Sequence, residues 1–192
     1  MRIGFLGGSF DPVHMGHLFI AEVARVRLGY DRVIFSPANR SPHKRDARYS
    51  DAEHRLRMLD LALSGRDDFE IFDWELKNGG VSYTIDSIRH LYDTMSFEGR
   101  PGLIVGDDVA GGLSSWRDID RLVELVDIVV MSRGVSTPGR VEWPHTLVDN
   151  VRLPISASDI RDRVGNGDAF RYLVPEPVYE YIVGNGLYAY TT

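Results

Sequence analysis

The sequence predicts an α/β protein with a doubly wound parallel sheet and a small helical part at the C-terminus. In the first 133 residues, short apolar runs alternate with segments whose apolar residues recur at helical spacing. Connections that contain a helix join strands in parallel by right-handed crossovers, which places helices on both faces of the sheet. The chain from residue 134 onward lacks this regular alternation and holds two further helical patterns.

The strands are predicted from short runs rich in Val, Ile, Leu and Phe, which favour buried strands. In chain order the predicted strands are Arg2–Leu6, Asp31–Ser36, Phe69–Asp73, Leu103–Val105, Asp127–Met131 and, in the C-terminal part, Thr146–Leu153. Loops or turns are predicted at Pro37–Pro42, Asn78–Gly80 and Gly134–Pro144, where Pro, Gly and Asn cluster.

The helices are predicted from apolar periodicity and from capping residues at their ends. A cap at Ser50 or Asp51 begins the second helix, and Ser156 or Ser158 caps the helix that opens in Ile155–Arg161. The predicted helical segments are Met15–Leu28, Asp51–Leu63, Ser82–Met95, Asp108–Leu113, Trp116–Leu125, the one opening in Ile155–Arg161, and Val178–Val183.

Composition narrows the classes of protein to which the chain can belong. A length of 192 residues with 43% apolar and 26% charged residues is typical of one globular domain. No cysteine is present, which excludes disulfides and thiolate chemistry. A net charge of −6 argues against a general nucleic-acid binder. We find neither a signal peptide nor an apolar run of roughly 18 residues that could span a membrane, and expect a cytoplasmic protein.

Four features fall at the predicted carboxyl ends of strands, where sheets of this Rossmann-like kind bind ligands. They are the segment Gly7–His17, the loop Pro37–Arg48, the pair Gly106-Asp107 and the pair Ser132-Arg133. The loop carries a basic cluster around Lys44, which is either a solvated surface or local positive charge for a small anion. Their convergence predicts one shared site.

The segment Gly7–His17 has the order strand, glycine turn and helix N-terminus, which forms an anion site from free backbone N–H groups. His14 and His17 then share one face of the first helical turn. They are polar surface residues, a zinc-binding pair that lacks a nearby third ligand, or a pair of donors aimed at a phosphate. We favour the phosphate. Gly16 between them is unfavourable in a helix, which predicts a close approach by a ligand or by backbone.

At this point the sequence resembles a known group of enzymes. GGSFDPVHMGHL is similar to the TGxFDPxHxGH signature of adenylyl- and cytidylyl-transferases. Four later motifs resemble the nicotinate-nucleotide adenylyltransferase branch. They are Ser41–Lys44 for its PHK loop, Ser82–Ser87 for YTIDT, Val105–Trp116 for GxDxxxxLxxW and Ile155–Arg161 for ISSTxIR. The tail Val178–Tyr188 is also similar, so the resemblance runs almost end to end.

The resemblance implies transfer of an adenylyl group from ATP to nicotinate mononucleotide, with Mg²⁺ as cofactor bridging phosphates and few direct protein ligands. The residues that it makes catalytic are His14, His17, Lys44 and Arg161. The residues that it assigns to ATP are Gly7, Gly8, Ser9, Phe10, Gly16, Gly106, Asp107, Arg133, Ile155, Ser156 and Ser158. The residues that it assigns to the mononucleotide are Lys44, Tyr83, Thr84 and Trp116.

Some of these residues also have ordinary structural interpretations. Trp116 is a core residue or a stacking surface for the pyridine ring, Asp107 caps a helix or meets a ribose, and Arg133 is a surface residue or a nucleotide ligand. Ala157 stands where the family pattern has a hydroxyl, which removes any contact from that side chain.

The organisation that follows is one nucleotidyltransferase domain over residues 1–192. Its core spans 1–133, and the part 134–192 completes the ATP site. Two alternatives are another small-molecule nucleotidyltransferase, such as a phosphopantetheine adenylyltransferase, and a non-catalytic nucleotide-sensing domain. The sequence leaves a homo-oligomer open.

Overall fold

The computed structural model of the chain describes residues 1–40, 50–132, 141–151 and 153–189. Its strands form one parallel sheet in the spatial order β3-β2-β1-β4-β5-β6. The strands are β1 (Ile3–Gly8), β2 (Arg32–Pro37), β3 (Phe69–Ile71), β4 (Gly102–Gly106), β5 (Asp127–Ser132) and β6 (His145–Asp149).

Helices connect these strands and close the C-terminal part. The α-helices are α1 (Met15–Leu28), α2 (Ala52–Leu63), α3 (Trp74–Asn78), α4 (Thr84–Thr94), α5 (Asp107–Ala110), α6 (Ile119–Leu125), α7 (Ala157–Asn166) and α8 (Glu176–Gly184). Single 3₁₀ turns lie at Leu113–Ser115 and Arg171–Leu173. Among the described residues, no helix combines the length and the apolar character that crossing a bilayer requires.

Strand alternation gives each face of the sheet its own apolar core. In β1, Ile3 and Phe5 join the cluster that also contains Ile88 of α4, whereas Leu6 joins the opposite cluster. That opposite cluster includes Ile20 of α1 and Val178 of α8. The sheet is therefore buried on both faces, which confirms the doubly wound α/β fold that the sequence predicts.

The order of strands reverses between β1 and β4. β2 and β3 extend the sheet to one side of β1, and β4, β5 and β6 extend it to the other. Loops that leave neighbouring strands on the two sides of this reversal diverge and open a crevice at the carboxyl ends of the strands. Gly8, at the end of β1, lies at that edge.

Several predicted elements have different bounds in the structure; for instance, the helix predicted at Asp108–Leu113 ends at Ala110 as α5. The third strand ends at Ile71 rather than Asp73, and a short helix that the sequence analysis missed, α3, follows it. Trp116 does not begin a helix: it follows the 3₁₀ turn, and α6 starts only at Ile119 after Asp118 in a left-handed conformation (φ 51°). The predicted strand Thr146–Leu153 corresponds to β6, His145–Asp149, which begins one residue earlier and ends four residues earlier. Local patterns were too short to separate strand, turn and helix after the third strand and around Trp116.

The ring of Tyr30 fills a space that two glycines leave beside the sheet. Gly4 of β1 and Gly102 of β4 are paired in register. A Cβ atom on Gly102 would lie 1.9 Å from the Tyr30 hydroxyl oxygen, and one on Gly4 would lie 3.0 Å from the ring. Because Tyr30 is buried, the ring has little room to move away.

We expect Gly102→Ala to lower the free energy of unfolding by about 1–3 kcal/mol, because the added methyl overpacks the space that Tyr30 occupies. Urea denaturation measures the change. Gly184→Ala is the matched control, since a Cβ there meets nothing within 4 Å and alanine suits the exposed end of α8. Equal stability of Gly102→Ala and the control would contradict this account of the packing.

Candidate active site

The segment after β1 turns sharply at Gly8 and Phe10. A Cβ atom on Gly8 would lie 3.0 Å from Cζ of Phe10, so a larger residue at this position would crowd the Phe10 ring. Phe10 itself has a positive φ of 48°, which is unfavourable for a residue with a side chain. Its ring is fully buried and packs edge-to-face on His17, with ring centroids 5.0 Å apart. The side chain of Phe10 is therefore packed against the His17 ring and is not exposed.

His14 and His17 lie together at the start of α1. His14 is the N-cap residue and is buried, while His17 stands three residues later and is half-buried. Their rings are stacked with centroids 3.7 Å apart. The backbone N–H of His14 donates to Nδ1 of His17 over 3.3 Å. Because that nitrogen accepts, the neutral His17 ring carries its proton on Nε2, which makes Nε2 a hydrogen-bond donor.

Gly16 allows α1 to approach its surroundings closely. A Cβ atom there would lie 3.0 Å from Nδ1 of His14 and 3.8 Å from the carbonyl oxygen of Ile155. The tight contact is with the His14 ring, a side chain, whereas the Ile155 carbonyl lies at ordinary van der Waals distance, so the predicted close approach by a ligand or by backbone stays a prediction. The contact also places the segment that precedes α7 beside the histidine pair.

Asp11 joins this segment to three distant parts of the chain. Its side chain is buried and accepts hydrogen bonds from the Tyr188 hydroxyl (2.7 Å) and the Ser50 backbone N–H (3.1 Å). Its carbonyl oxygen accepts from Nη1 of Arg161 at 2.7 Å. Burial and the neighbouring Asp11 carboxylate raise the pKa of Tyr188, which keeps that hydroxyl protonated and donating. Arg161 is therefore brought to the glycine turn from the far end of the sequence.

The start of α7 is capped as the sequence predicts. Ser156 is the N-cap residue, and its hydroxyl accepts from the backbone N–H of Asp159 at 3.1 Å. The hydroxyls of Ser156 and Ser158 lie 3.0 Å apart. These side chains are engaged in the cap, so a ligand at this helix start would meet backbone N–H groups, which the alanine at position 157 leaves intact.

Two of the residues expected to hold a mononucleotide, Tyr83 and Thr84, lie at the start of α4. Tyr83 is the N-cap residue of that helix, and Thr84 is its first residue. Tyr83 and Trp116 are both partly buried against the same apolar cluster. The guanidinium of Arg117 lies over the Tyr83 ring, 4.6 Å from its centroid, and pairs with Asp86 at 3.5 Å. Sequence analysis missed Arg117, although its position next to Trp116 was a usable signal.

Arg55 is a buried arginine that sequence analysis also missed. Only 2% of it is exposed, and its guanidinium donates to backbone carbonyls after β1 and β2. The acceptors are Ser9 (2.9 Å), Ala38 (2.6 Å) and Ser50 (3.1 Å). The available signal was a charged residue on the apolar stripe of α2, three and four positions before Met58 and Leu59.

Glu75 of α3 is a second buried charged residue without a role in the sequence analysis. Burial raises the pKa of its carboxyl group, while hydroxyls of neighbouring serines and the Arg55 charge oppose that effect. The missed helix that carries it explains the omission, because the segment was divided between a strand and a turn.

Other expected site residues lie around the same edge. Gly106 ends β4 and is the N-cap residue of α5, followed by Asp107, which is buried, and Asp108, which is exposed.

A small cavity lies between His14, Gly16, Asn150 and Ile155. The side-chain oxygen of Asn150 is buried there and has no hydrogen-bond partner among the residues that the structure describes.

Two predicted residues, Lys44 and Arg133, lie outside the described residues. In the described parts of the chain, no group of three or more His, Cys, Asp or Glu side chains is placed to hold a metal ion.

Comparison with known proteins agrees with this geometry. A cytidylyltransferase-like family profile matches residues 5–163. The probable nicotinate-nucleotide adenylyltransferase of Treponema pallidum is 38% identical over 98% of this chain and 99% of its own length. That of Dictyoglomus thermophilum is 38% identical over 98% of this chain and 100% of its own.

Solved structures share the fold. The Plasmodium falciparum nicotinic acid mononucleotide adenylyltransferase complexed with NaAD superposes with a TM-score of 0.80 over 97% of each chain, at 17% identity. On the strength of its full-length sequence relatives, the chain belongs to the cytidylyltransferase-like family, in the nicotinate-nucleotide adenylyltransferase branch.

Proposed function

We propose that the protein transfers the adenylyl group of ATP to nicotinate mononucleotide, giving deamido-NAD and pyrophosphate. The observation that carries the proposal is the 2.7 Å hydrogen bond from Arg161 to the carbonyl of Asp11. It brings the motif Ile155–Arg161 to the glycine turn and the His14–His17 pair, as one site for a triphosphate requires. The names of the full-length relatives support the same reaction.

The chemistry needs positioning and charge stabilisation more than proton transfer. The attacking group is a phosphate oxygen that is already anionic, so no general base is required. We infer that Nε2–H of His17 donates to the reacting phosphate as negative charge moves onto the pyrophosphate, with His14 as its partner. The bond from the His14 backbone to Nδ1 supports this role, because it orients the ring and fixes its donor nitrogen.

We infer that residues 134–192 complete the ATP site within a single domain of 1–192. Arg161 would hold the β and γ phosphates, and backbone N–H groups near Ile155, Ser156 and Ser158 would assist at the start of α7. Lys44 would neutralise the reacting phosphates. Ile160 of α7 packs in the apolar cluster that contains Leu6 of β1, which supports placing the start of α7 beside the turn after β1.

The remaining ATP contacts would come from the turn after β1 and from the ends of β4 and β5. Backbone N–H groups of Gly7–Phe10 would face the phosphates. Gly16 would leave room for a phosphate near the start of α1. The nucleoside would contact Gly106, Asp107 and Arg133, and Asp108 is the exposed neighbour of Asp107.

Enzymes of this family use a divalent metal ion with ATP, and we propose Mg²⁺ here. We infer that the ion would be held mainly through the phosphate oxygens, with few direct protein ligands. When bound, the ion supplies charge neutralisation to the phosphates.

The mononucleotide would lie at the start of α4. Trp116 would stack on its pyridine ring, and Lys44 would contact its phosphate. Backbone N–H groups at Tyr83 and Thr84 would bind the nicotinate carboxylate, because a helix N-terminus favours an anion over a neutral amide. The Arg117 guanidinium over the Tyr83 ring adds positive charge to that end of the helix.

We further propose that these small molecules are the natural partners and that the reaction takes place in the cytoplasm, where ATP and mononucleotides are metabolites. A homo-oligomer is compatible with the proposal, because the proposed site is built from one chain.

We expect His17→Ala to lower kcat about 100-fold or more, because it removes a donor aimed at developing phosphate charge. Steady-state release of pyrophosphate measures this. His145→Ala, which alters an exposed histidine on the edge strand β6, is the control and keeps wild-type kcat. A His17→Ala variant with wild-type kcat would refute the charge-stabilising role.

The contribution of the C-terminal part is tested on α7. We expect Arg161→Ala to lower kcat/KM for ATP about 10- to 100-fold through loss of a charge-assisted phosphate contact. Arg163→Ala, two residues further along, removes an arginine that pairs with Asp159 at the surface and should leave ATP kinetics unchanged. Equal effects of the two substitutions would show that position 161 has no special role toward ATP.

The choice of acid over amide is tested with both mononucleotides, ATP and magnesium. We expect a higher kcat/KM for the nicotinate than for the nicotinamide form, and Arg117→Ala should reduce this preference about three- to tenfold by removing charge near the carboxylate. Arg121→Ala, an exposed arginine of α6 paired with Glu124, is the control. Equal kcat/KM for the two substrates in the wild-type enzyme would disprove the proposed selectivity.

A further inference from the structure

The buried carboxylate of Glu75 lies between β2 and the start of α4. Glu75 belongs to the five-residue helix α3, and only 7% of it is exposed. No step of the proposed reaction uses this group, and the sequence motifs do not include it. Burying an ionised carboxylate is costly unless hydrogen bonds and opposite charge compensate it, so its partners indicate what it does.

The partners of Glu75 come from both sides of the gap. Its Oε1 atom accepts from the hydroxyl of Ser36, near the end of β2, at 3.2 Å. The same oxygen accepts a short hydrogen bond from the hydroxyl of Ser87 in the first turns of α4. The hydroxyl of Ser82 also donates to the carboxylate. Ser82 and Ser87 flank Tyr83 and Thr84. Glu75 is therefore hydrogen-bonded to residues on both sides of the start of α4.

A second layer of hydrogen bonds continues from Ser82 to the chain that leaves β2. The Ser82 hydroxyl accepts from the backbone N–H of Asn39 at 2.9 Å, and the Ser82 backbone N–H donates to the carbonyl of Arg40 at 2.9 Å. The side chain of Asn39 donates to the carbonyl of Gly80 at 2.8 Å. Asn39 and Arg40 directly precede residues 41–49, which include Lys44.

Opposing effects act on the ionisation of the Glu75 carboxyl group. Burial raises the pKa of its carboxyl group, whereas the serine hydroxyls and the positive charge of Arg55 favour the ionised form. Replacing such buried groups by apolar ones is often neutral for stability, and their use in proteins is better attested for fixing a geometry. The geometry fixed here is that of α4 against β2.

We propose that Glu75 is a positioning residue for the mononucleotide half of the site. Through Ser36, Ser82 and Ser87 it holds the first turn of α4 and the chain after β2 in the relative position that substrate binding requires. This rests on the proposed function, in which Tyr83 and Thr84 bind the nicotinate group. Glu75 does not touch substrate. It acts through the backbone N–H groups that it orients, and among the described residues its hydrogen-bond partners lie outside α1 and α7.

The test is a comparison of KM for the two substrates in Glu75→Ala and Glu75→Gln. We expect Glu75→Ala to raise KM for nicotinate mononucleotide at least about tenfold while KM for ATP and kcat at saturation change less than about threefold. Glu75→Gln should restore KM for the mononucleotide to within about threefold of wild type, because its amide oxygen can accept from Ser36 and Ser87.

Glu70→Ala is the matched control, because Glu70 lies on neighbouring β3 and pairs only with Arg32 among the described residues. It should leave both KM values unchanged. Ser82→Ala is a second, milder variant for the case in which Glu75→Ala does not fold, and it should raise KM for the mononucleotide alone. An equal rise in both KM values, an unchanged KM for the mononucleotide, or a glutamine variant as impaired as the alanine variant would each overturn the proposal.

Failure of the proposed function would look different. In that case the wild-type enzyme would not turn over nicotinate mononucleotide with ATP, whatever stands at position 75. If the wild-type enzyme turns over both substrates and the Glu75 variants do not separate their KM values, only the positioning role is wrong.

Discussion

The Arg55 guanidinium holds together the two loops on which the site is built. It is buried behind the crevice and donates to the carbonyls of Ser9, after β1, and of Ala38, after β2. Backbone carbonyls that are turned inward at strand ends have no strand partner, and leaving them unsatisfied would cost about 1–3 kcal/mol each. One planar group with five N–H donors satisfies several of them at once, which lets the two loops approach each other closely.

The rest of the site is assembled on this fixed turn. Phe10 is buried under the turn and supports the His17 ring, whose orientation is completed by the N–H of His14. Asp11 accepts hydrogen bonds from Arg161 and Tyr188, which belong to the C-terminal part of the chain. The N-terminal segment is thus the centre to which the distant elements attach, and the histidine pair keeps its geometry because each neighbour is itself held by a buried hydrogen bond or ring contact.

Sequence patterns predicted strongly periodic elements well and short ones poorly. The bounds of α1, Met15–Leu28, were predicted correctly, and Ser156 is the cap of α7. In contrast, α3 was missed and Trp116 was placed in a helix that starts three residues later. A five-residue helix has too few positions to show a period, and the left-handed residue at Asp118 has no strong sequence signal.

The sequence by itself determined the fold class and the family, because alternating apolar runs fix the sheet and the ordered motifs extend from Gly7 to Arg161. It also nominated residues, among them His14, His17 and Arg161, as the hydrogen-bond donors and charges of the proposed phosphate site. Only the tertiary structure decided which groups support them: the burial of Arg55 and Glu75, and the tautomer of His17. These depend on contacts between residues far apart in the chain, such as Asp11 with Arg161, and periodicity and spacing report only on neighbours.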